Sequence, residues 1–195
     1  MSTALSVPHV VVILGSTRQQ RFGDKVAGWF MSRTDERTDM TFELVDLRDW
    51  MFPYYDRPLP ATVAEYDDEG RRWAEVIGPA DGFVIITPEY NHGYPAVLKS
   101  ALDAVYREWN RKPVAFVSYG GWSGGVRAVQ QLRQVVIELQ MAPTRASVVL
   151  QFAPRLFDSE GNLHQPELFN TAATNLLNDL SWWAHALRVA RAASA

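Results

Sequence analysis

The sequence predicts an α/β fold with a five-stranded parallel sheet and helices on both of its faces. Short apolar runs rich in β-branched residues alternate along the chain with amphipathic stretches of helical spacing. Because right-handed crossovers bring helices to each face of a sheet, this alternation requires a three-layer sandwich of parallel strands. The 195 residues are enough for one such domain and rather few for two. We therefore expect a single domain over residues 1–195.

The predicted strands are short, apolar and bounded by turn residues, as is typical of strands buried on both faces. They are residues 10–14, 41–47, 82–86, 113–119 and 147–152. The predicted helices are residues 22–33, 61–77, 96–109, 126–141 and 167–191. The last helix has an expected inner stripe of Leu168, Ala172, Leu176, Leu180, Trp183 and Leu187. Five strands match the flavodoxin-like sheet order 2-1-3-4-5.

The composition excludes several classes of function. The 19 basic and 22 acidic residues give a net charge of −3, so the chain lacks the broad basic field that nucleic-acid binding requires. The absence of cysteine excludes disulfides, thiolate metal sites and a catalytic thiol, so redox chemistry would need a bound cofactor. No apolar run approaches the roughly 18 to 20 residues of a membrane span, and residues 1–9 do not match a signal peptide. We expect a cytoplasmic protein without nucleic-acid or membrane partners.

The loop after the first strand offers ligands for a phosphate. Residues 15–18 read GSTR, so two hydroxyls, a guanidinium and backbone N–H groups precede a predicted helix, whose dipole favours an anion. A plain N-cap followed by a surface arginine explains the same residues without a ligand. Neither G-x-x-x-x-G-K-[ST] nor G-x-G-x-x-G is present here, which favours a mononucleotide such as FMN over a nucleoside triphosphate or FAD.

Two further loops follow apolar strands. Residues 87–95 (TPEYNHGYP) combine two prolines with tyrosine, glutamate and asparagine side chains that suit a flat polar ligand. Residues 118–125 (SYGGWSGG) contain four glycines that leave backbone N–H groups open, although glycine clusters also occur in simple turns. Loops at one end of a parallel sheet converge, and in the order 2-1-3-4-5 the loops after strands 1 and 3 face each other. The three loops therefore predict one ligand site.

The segment 46–60 is predicted to be an aromatic loop. Its rings are Trp50, Phe52, Tyr54 and Tyr55. Such rings can border a binding site or a subunit contact, or they can cover an edge of the core, which is the interpretation that we favour. Asp46 ends the second strand but lies further from the first loop than a ribose-binding acid usually does, so the sequence assigns it no ligand role.

These motifs resemble the NADPH-dependent FMN reductase family of flavodoxin-like flavoenzymes, which includes quinone, azo-dye and chromate reductases. The resemblance covers about residues 8–190 and is strongest in 14–18 (LGSTR) and in 87–103 (TPEYNHGYPAVLKSALD). The second segment is long enough to be specific. Residues 118–125 are similar to the third flavin loop of the family.

The resemblance implies a set of FMN-binding residues. The first loop would bind the phosphate, the second would line the isoalloxazine largely through its backbone, and the third would approach the other edge of the flavin. The residues are Ser16, Arg18, Arg21, Phe22, Gly23, Pro88, Glu89, Tyr90, Asn91, Ser118, Tyr119, Gly120, Gly121 and Trp122. Many members of the family carry Ser and Asn where this chain has Arg21 and Gly23. Arg21 would then replace neutral phosphate ligands by its charge.

The resemblance also implies an FMN-dependent oxidoreductase with NADPH or NADH as co-substrate. Hydride would pass to the flavin and then to a small electron acceptor (a flavin, quinone, azo compound or metal oxyanion) in a ping-pong sequence that needs no catalytic side chain. Trp122, Tyr94 and His92 would shape the reacting face, and His92 could alternatively donate a proton. A flavodoxin-type electron carrier without nicotinamide turnover is the alternative function, although such carriers are usually strongly acidic. A flavin-free domain would leave the three loops unexplained.

Members of this family are commonly dimers or tetramers, so the resemblance implies a homodimer or homotetramer. Tyr106, Trp109 and the aromatic residues of 50–55 are the expected candidates for the contact between subunits.

Overall fold

The computed structural model describes residues 7–53, 61–62 and 65–194. The strands within these residues are β1 (His9–Leu14), β2 (Thr41–Asp46), β3 (Gly82–Pro88), β4 (Pro113–Tyr119) and β5 (Ala142–Leu150). The α-helices are α1 (Gly23–Thr34), α2 (Asp68–Ile77), α3 (Ala96–Asp103), α4 (Val126–Glu138) and α5 (Pro166–Ala193). The predicted alternation of strands and helices is confirmed.

The sheet has the order β2-β1-β3-β4-β5, and each neighbouring pair of strands is parallel. The predicted flavodoxin-like order is therefore confirmed. Leu14 lies opposite both Asp46 and Ile86, and Pro88 lies opposite Tyr119. This register brings the carboxyl ends of β2, β1, β3 and β4 to one edge of the sheet, from which the loops that follow them emerge.

Each face of the sheet is covered by its own apolar cluster. Side chains of one face, such as Val11 and Phe83, pack with α2, α3 and α4, whereas those of the other, such as Val10 and Val84, pack with α1 and α5. The central strands β3 and β4 are buried along their whole length. This division follows from the two-residue period of a strand, which sends successive side chains to opposite faces.

Three predicted boundaries differ from the structure by five residues or more. The helix expected from residue 61 begins only at Asp68, because the Asp67 carboxylate accepts a hydrogen bond from the Gly70 N–H at 2.7 Å and caps the helix. The helix expected over 96–109 ends at Asp103 and is followed by a short 3₁₀ turn. Strand β5 begins five residues earlier than predicted, at Ala142, since an edge strand tolerates the proline that follows.

The inner face of α5 differs in part from the predicted stripe. Leu176 and Leu180 are buried as expected, but Leu168 is 66% exposed. The remaining buried positions include small residues such as Ala173 and Ala184, which let the helix lie close to the sheet. A pattern based on large apolar side chains does not detect such positions.

Trp109 is a correction to the expected subunit contact. Its side chain is fully buried in the core, where its indole N–H donates to the carbonyls of Leu102 and Val105. Trp50 and Phe52 pack against Trp73 and cover an edge of the core, as favoured from the sequence. Tyr54 and Tyr55 lie outside the described residues. In the part of the chain that the structure describes, no helix has both the length and the apolar character to cross a bilayer.

Candidate functional site

Three loops lie at the edge formed by the carboxyl ends of β1, β3 and β4. They are loop 1 (residues 15–22), loop 2 (residues 89–95) and loop 3 (residues 120–125). The Ser16 hydroxyl of loop 1 lies 2.8 Å from the Tyr90 hydroxyl of loop 2. The Glu89 carboxylate of loop 2 accepts hydrogen bonds from Arg127, at the start of the helix that follows loop 3, at 2.7 Å from Nε and 3.1 Å from the backbone N–H. The predicted convergence of the three loops is confirmed.

Loop 1 begins with a close contact between its backbone and β3. The Gly15 N–H donates to the Ile86 carbonyl of β3 at 2.9 Å. A Cβ at position 15 would lie 3.1 Å from both that carbonyl oxygen and the Leu98 side chain, so there is little room for a side chain. Ser16 is fully buried, whereas Arg18 is exposed. Loop 1 therefore presents the Arg18 guanidinium to solvent, while the Ser16 hydroxyl is bonded to loop 2.

Arg21 is buried at the end of loop 1 between two carboxylates. Its Nε donates to Asp24 at 2.8 Å, and its terminal nitrogens donate to Asp46, to Asp24 and to the Ser16 carbonyl. These bonds use all five N–H donors of the guanidinium. Burial opposes the charge, but the hydrogen bonds and charges of Asp46 and Asp24 outweigh it, so the pKa of Arg21 is raised. The expected direct role of Arg21 toward a phosphate does not fit this geometry.

Sequence reasoning missed two residues beside loop 1. Burial of the Asp46 carboxylate favours its neutral form, but the hydrogen bonds and charges of Arg21 and Arg48 outweigh this effect and lower the pKa of Asp46. Arg48, in the 3₁₀ turn after β2, donates to the Arg18 carbonyl at 2.7 Å and lies 3.4 Å from Asp24. The predicted strand order could have identified both residues, because it places the end of β2 beside the loop that follows β1.

Loop 2 contains a tight two-residue turn. Tyr90 and Gly93 exchange two backbone hydrogen bonds, of 2.8 and 2.9 Å. The residues between them, Asn91 and His92, have φ angles of 51° and 69°, both in the left-handed region that a primed turn requires. Gln131 of α4 donates to the His92 carbonyl at 3.1 Å and supports the turn from the side. The side chains of Asn91 and His92 are consequently exposed at the rim of the site, by which we mean the surface formed by the three loops.

Glu89 joins loop 2 to loop 3 and to α4. Its side chain is only 6% exposed and forms an ion pair with the Arg127 guanidinium. Burial favours the neutral carboxyl, but hydrogen bonds from Ser123 and Arg127 outweigh it and lower the pKa of Glu89. The carboxylate is therefore occupied by the protein, and any contact of Glu89 with a ligand is left to its backbone, as the resemblance implies.

Loop 3 depends on two glycines with positive φ. Gly124 and Gly125 have φ angles of 60° and 90°, and a Cβ on Gly125 would lie 2.7 Å from the Cβ of Ser118. Ser118 is fully buried, with its hydroxyl 3.4 Å from the Val148 carbonyl, so that its side chain does not reach the rim. A Cβ on Gly121 would meet open space. The rim of loop 3 is thus formed by backbone around Gly121 and not by the Ser118 hydroxyl.

Tyr119 lies beneath loop 1 on the side of the sheet covered by α1. It is 4% exposed, and burial, followed by the influence of Tyr90, raises its pKa. Its ring centroid lies 6.4 Å from that of Phe22. A Cβ on Gly23 would be 2.5 Å from the Tyr119 hydroxyl, which explains why this position has no side chain. Tyr119, which the resemblance includes among the FMN-binding residues, is therefore not exposed beside loop 3.

Trp122 is the exposed aromatic side chain of loop 3, with 79% of its surface accessible. It contacts Phe152 edge-on at a centroid distance of 5.8 Å. Phe152 was missed by sequence reasoning, which places it at the end of a strand; it has a φ of 49° and its N–H donates to the Gly121 carbonyl at 2.9 Å. Tyr94, also expected at the reacting face, is instead half-buried and packs against the core. The two rings of Trp122 and Phe152 thus border the rim.

Comparison with known proteins identifies similar sequences. The sequence model of the NADPH-dependent FMN reductase family matches residues 8–154. An NAD(P)H-dependent FMN reductase of Schizosaccharomyces pombe is 43% identical over 148 residues, which are 73% of this chain and 74% of the relative. A quinone reductase of Pseudomonas putida is 29% identical over 165 residues, which are 81% of this chain and 86% of the relative.

Among solved structures, the flavoenzyme NAD(P)H:(acceptor) oxidoreductase FerB of Paracoccus denitrificans is similar with a TM-score of 0.72. The match covers 92% of this chain and 98% of that one at 21% sequence identity, and it supports the fold alone. The family match and the identity to the fission-yeast reductase each span most of the chain. This chain therefore belongs to the NADPH-dependent FMN reductase family, a family of oxidoreductases.

Proposed function

We propose that residues 1–195 form a single FMN-binding domain that acts as an NAD(P)H-dependent oxidoreductase toward a small acceptor, in a ping-pong sequence. The observation that carries this proposal is the junction of three loops at one sheet edge through the contacts Ser16–Tyr90 and Glu89–Arg127. Such an edge is where open α/β sheets bind nucleotides.

Loop 1 has the donors that a phosphate requires. Arg18 is exposed, and its guanidinium forms no ion pair within the described residues. The backbone N–H groups before α1 add the positive end of a helix dipole. Ser16 can reach a ligand when its hydroxyl exchanges Tyr90 for a phosphate oxygen. Ser16 and Arg18 would therefore hold the FMN phosphate.

The other two loops suit a flat ring. The backbone of Pro88 to Asn91 lies on one side of the rim, and Gly120 and Gly121 lie on the other. Open space beside Gly121 lets a planar ligand approach the main chain closely. These segments would contact the isoalloxazine mainly through backbone N–H and carbonyl groups.

Bound FMN supplies the site that accepts and returns hydride. The protein residues hold the loops in register through the Glu89–Arg127 pair and border the reacting face with Trp122 and Tyr90, which are both exposed. The proposed sequence requires no acid or base from the chain. His92 remains an alternative proton donor, since it is exposed on the turn of loop 2.

The relatives support the choice of donor and acceptor. Several are named NAD(P)H-dependent FMN reductases, and others are named quinone reductases. We extend both to this chain: NADPH or NADH as the hydride donor, and a quinone, free flavin, azo compound or metal oxyanion as the acceptor. We also propose that the protein is cytoplasmic.

A homodimer or homotetramer is part of the proposal. Tyr106 is half-buried in the chain and can contribute to a subunit contact, whereas Trp109 cannot. Size-exclusion chromatography with light scattering should give a multiple of 22.0 kDa. A mass of one chain would contradict the oligomer without affecting the cofactor proposal.

The function is tested on purified protein in three measurements. Heat release should give a yellow chromophore identified as FMN, NADPH should be oxidised in the presence of quinone or excess flavin, and initial rates at several acceptor concentrations should give parallel double-reciprocal lines. A bound flavin without NAD(P)H oxidation would instead establish the electron carrier. A colourless protein that does not quench FMN fluorescence would contradict both functions.

A further inference from the structure

We infer that Arg21 is a positioning residue which, together with Arg48, turns backbone N–H groups of loop 1 toward the phosphate of FMN. The inference rests on the proposed FMN function and concerns residues that would not touch the phosphate themselves. The Arg21 side chain is 2% exposed, and each of its donors is bound within the protein. Its charge is therefore directed inward.

Two carbonyls of loop 1 point toward these arginines. The Ser16 carbonyl accepts a hydrogen bond from Arg21, and the Arg18 carbonyl accepts one from Arg48 at 2.7 Å. The Arg18 carbonyl also accepts the Arg21 backbone N–H at 3.2 Å. Both arginines thus fix the direction of a peptide plane in the loop.

The direction of each plane determines where the next N–H group points. The described peptide bonds are all trans, and in a planar trans peptide the C=O and the N–H point in opposite directions. The N–H groups of Thr17 and Gln19 therefore point away from the two guanidinium groups. Within the described residues neither N–H group has a hydrogen-bond acceptor. Both N–H groups are therefore available as donors to an anion.

The charges around loop 1 support the same division of roles among its arginines. Asp24 and Asp46 both bind Arg21, and Asp24 also lies 3.4 Å from Arg48. The carboxylates therefore neutralise the inner arginines, and Arg18 remains as the cation of loop 1 available to a phosphate. Charge-assisted bonds to Arg18 would add to those from Thr17 and Gln19. In this arrangement Arg18 would bind the phosphate, whereas Arg21 and Arg48 orient the backbone of loop 1.

Arginine is required for this role because of its shape. A guanidinium can bind two carboxylates and a carbonyl through a planar fork, whereas an ammonium has three donors on one atom. Arg21→Lys therefore preserves the positive charge but loses the planar fork of donors. Asp46→Asn removes the negative charge that binds Arg21 and leaves the arginine side chain unaltered.

The experiment compares FMN with riboflavin, which lacks the phosphate, by fluorescence quenching on apo-protein. We expect Arg21→Lys, Arg21→Gln and Asp46→Asn each to weaken FMN binding by about tenfold or more, and riboflavin binding by less than about threefold, as the loss of charge-assisted bonds to the phosphate requires. Direct binding of the phosphate by Arg21 predicts the reverse: the Lys variant would retain its affinity, and Asp46→Asn would bind FMN more tightly because the guanidinium is released.

Arg37→Gln is the matched control. Arg37 donates to both oxygens of Asp39 at 2.8 and 2.7 Å, before the start of β2 and therefore at the opposite edge of the sheet. Its loss should lower the melting temperature of the apo-protein and leave the FMN to riboflavin affinity ratio unchanged. An unchanged ratio in Arg21→Lys and Asp46→Asn would overturn the inference alone. Wild-type protein that binds neither flavin would overturn the proposed function and the inference together.

Discussion

The Tyr119 hydroxyl of β4 lies against Gly23 at the start of α1, at a position 2.5 Å from where a Cβ on Gly23 would be. The contact determines how closely α1 approaches the sheet beneath loop 1. It also accounts for the departure from the family pattern at this position, because an asparagine side chain has no room beside the phenol.

The first prediction follows from this contact. Gly23→Ala should lower the free energy of unfolding by about 1–3 kcal/mol, the usual cost of overpacking, as measured by urea denaturation. Tyr119→Phe in the same chain removes the oxygen and should restore part of the loss, but not all of it, because the Leu14 side chain would still lie 3.1 Å from the new Cβ. Equal stability of Gly23→Ala and wild type would contradict the packing described here.

The second prediction concerns the pH dependence contributed by Glu89. Its folded pKa is lowered from the ordinary value of 4.5, so the contribution of the Glu89–Arg127 pair is present above that value and is lost as the pH falls through the folded pKa. Glu89→Gln should lower the free energy of unfolding at neutral pH by about 1–3 kcal/mol. The difference from wild type should shrink as the pH falls below 4.5 and the wild-type carboxylate becomes protonated. A difference that is constant across this range would argue against an ionic contribution.

The third prediction concerns Lys112, which precedes β4 and lies at the amino ends of the strands, away from the three loops. Its Nζ donates to the Ile77 and Gly78 carbonyls at 3.0 and 2.7 Å and so caps the end of α2. Burial, with a smaller effect from Arg191, lowers the pKa of Lys112 from 10.5 to about 8. Between these values the unfolded chain binds more protons than the folded one, so the free energy of unfolding should rise with pH.

Lys112→Met should lack this rise, which is on the order of 3 kcal/mol between about pH 8 and about pH 10.5. Chemical denaturation across this range measures it as the difference between wild type and variant. Lys99→Met, which removes a more exposed lysine paired with Asp103, serves as the control. Parallel pH profiles for wild type and Lys112→Met would show that burial of the ammonium has no such cost.

The fourth prediction separates the reacting face from the rest of the surface. Trp122→Ala should raise the KM for NAD(P)H or for the acceptor by about five- to tenfold, since a ring at the rim is lost, with FMN affinity retained. Trp182→Ala is the matched control, because Trp182 is also a largely exposed tryptophan, 64% accessible, on the outer side of α5. Steady-state kinetics that change equally in both variants would assign no special role to loop 3.

The sequence predicts the strand order and the convergence of the loops because both depend on the alternation of apolar strands with amphipathic helices and on crossover handedness. It does not predict the contacts of Arg21 and Tyr119. Asp46, the partner of Arg21, is the last residue of β2, and Tyr119 reaches Gly23 from β4. Such pairings depend on side-chain direction after folding, and no local spacing encodes them.

The sequence predicts too early a start for α2 for a different reason. Apolar side chains at helical intervals continue before Asp67, but the capping bond from Asp67 to Gly70 determines where the helix begins. In α5 the apolar pattern instead misses buried positions. Ala173 and Ala184 are buried because small residues pack closely against the sheet, but such residues contribute little to an apolar pattern.

The main-chain construction of loop 3 has a consequence for how this protein can diverge. At Gly124 and Gly125 the φ angles are positive and a Cβ would lie 2.6 and 2.7 Å from neighbouring side-chain atoms, whereas at the nearby Trp122 the side chain is exposed and its replacement leaves the loop backbone unchanged. Tolerance to amino-acid exchange should therefore change sharply within the four positions 122–125. Evolution should therefore change the proposed acceptor preference more readily through position 122 than through the two glycines, which maintain the backbone that we propose contacts the flavin.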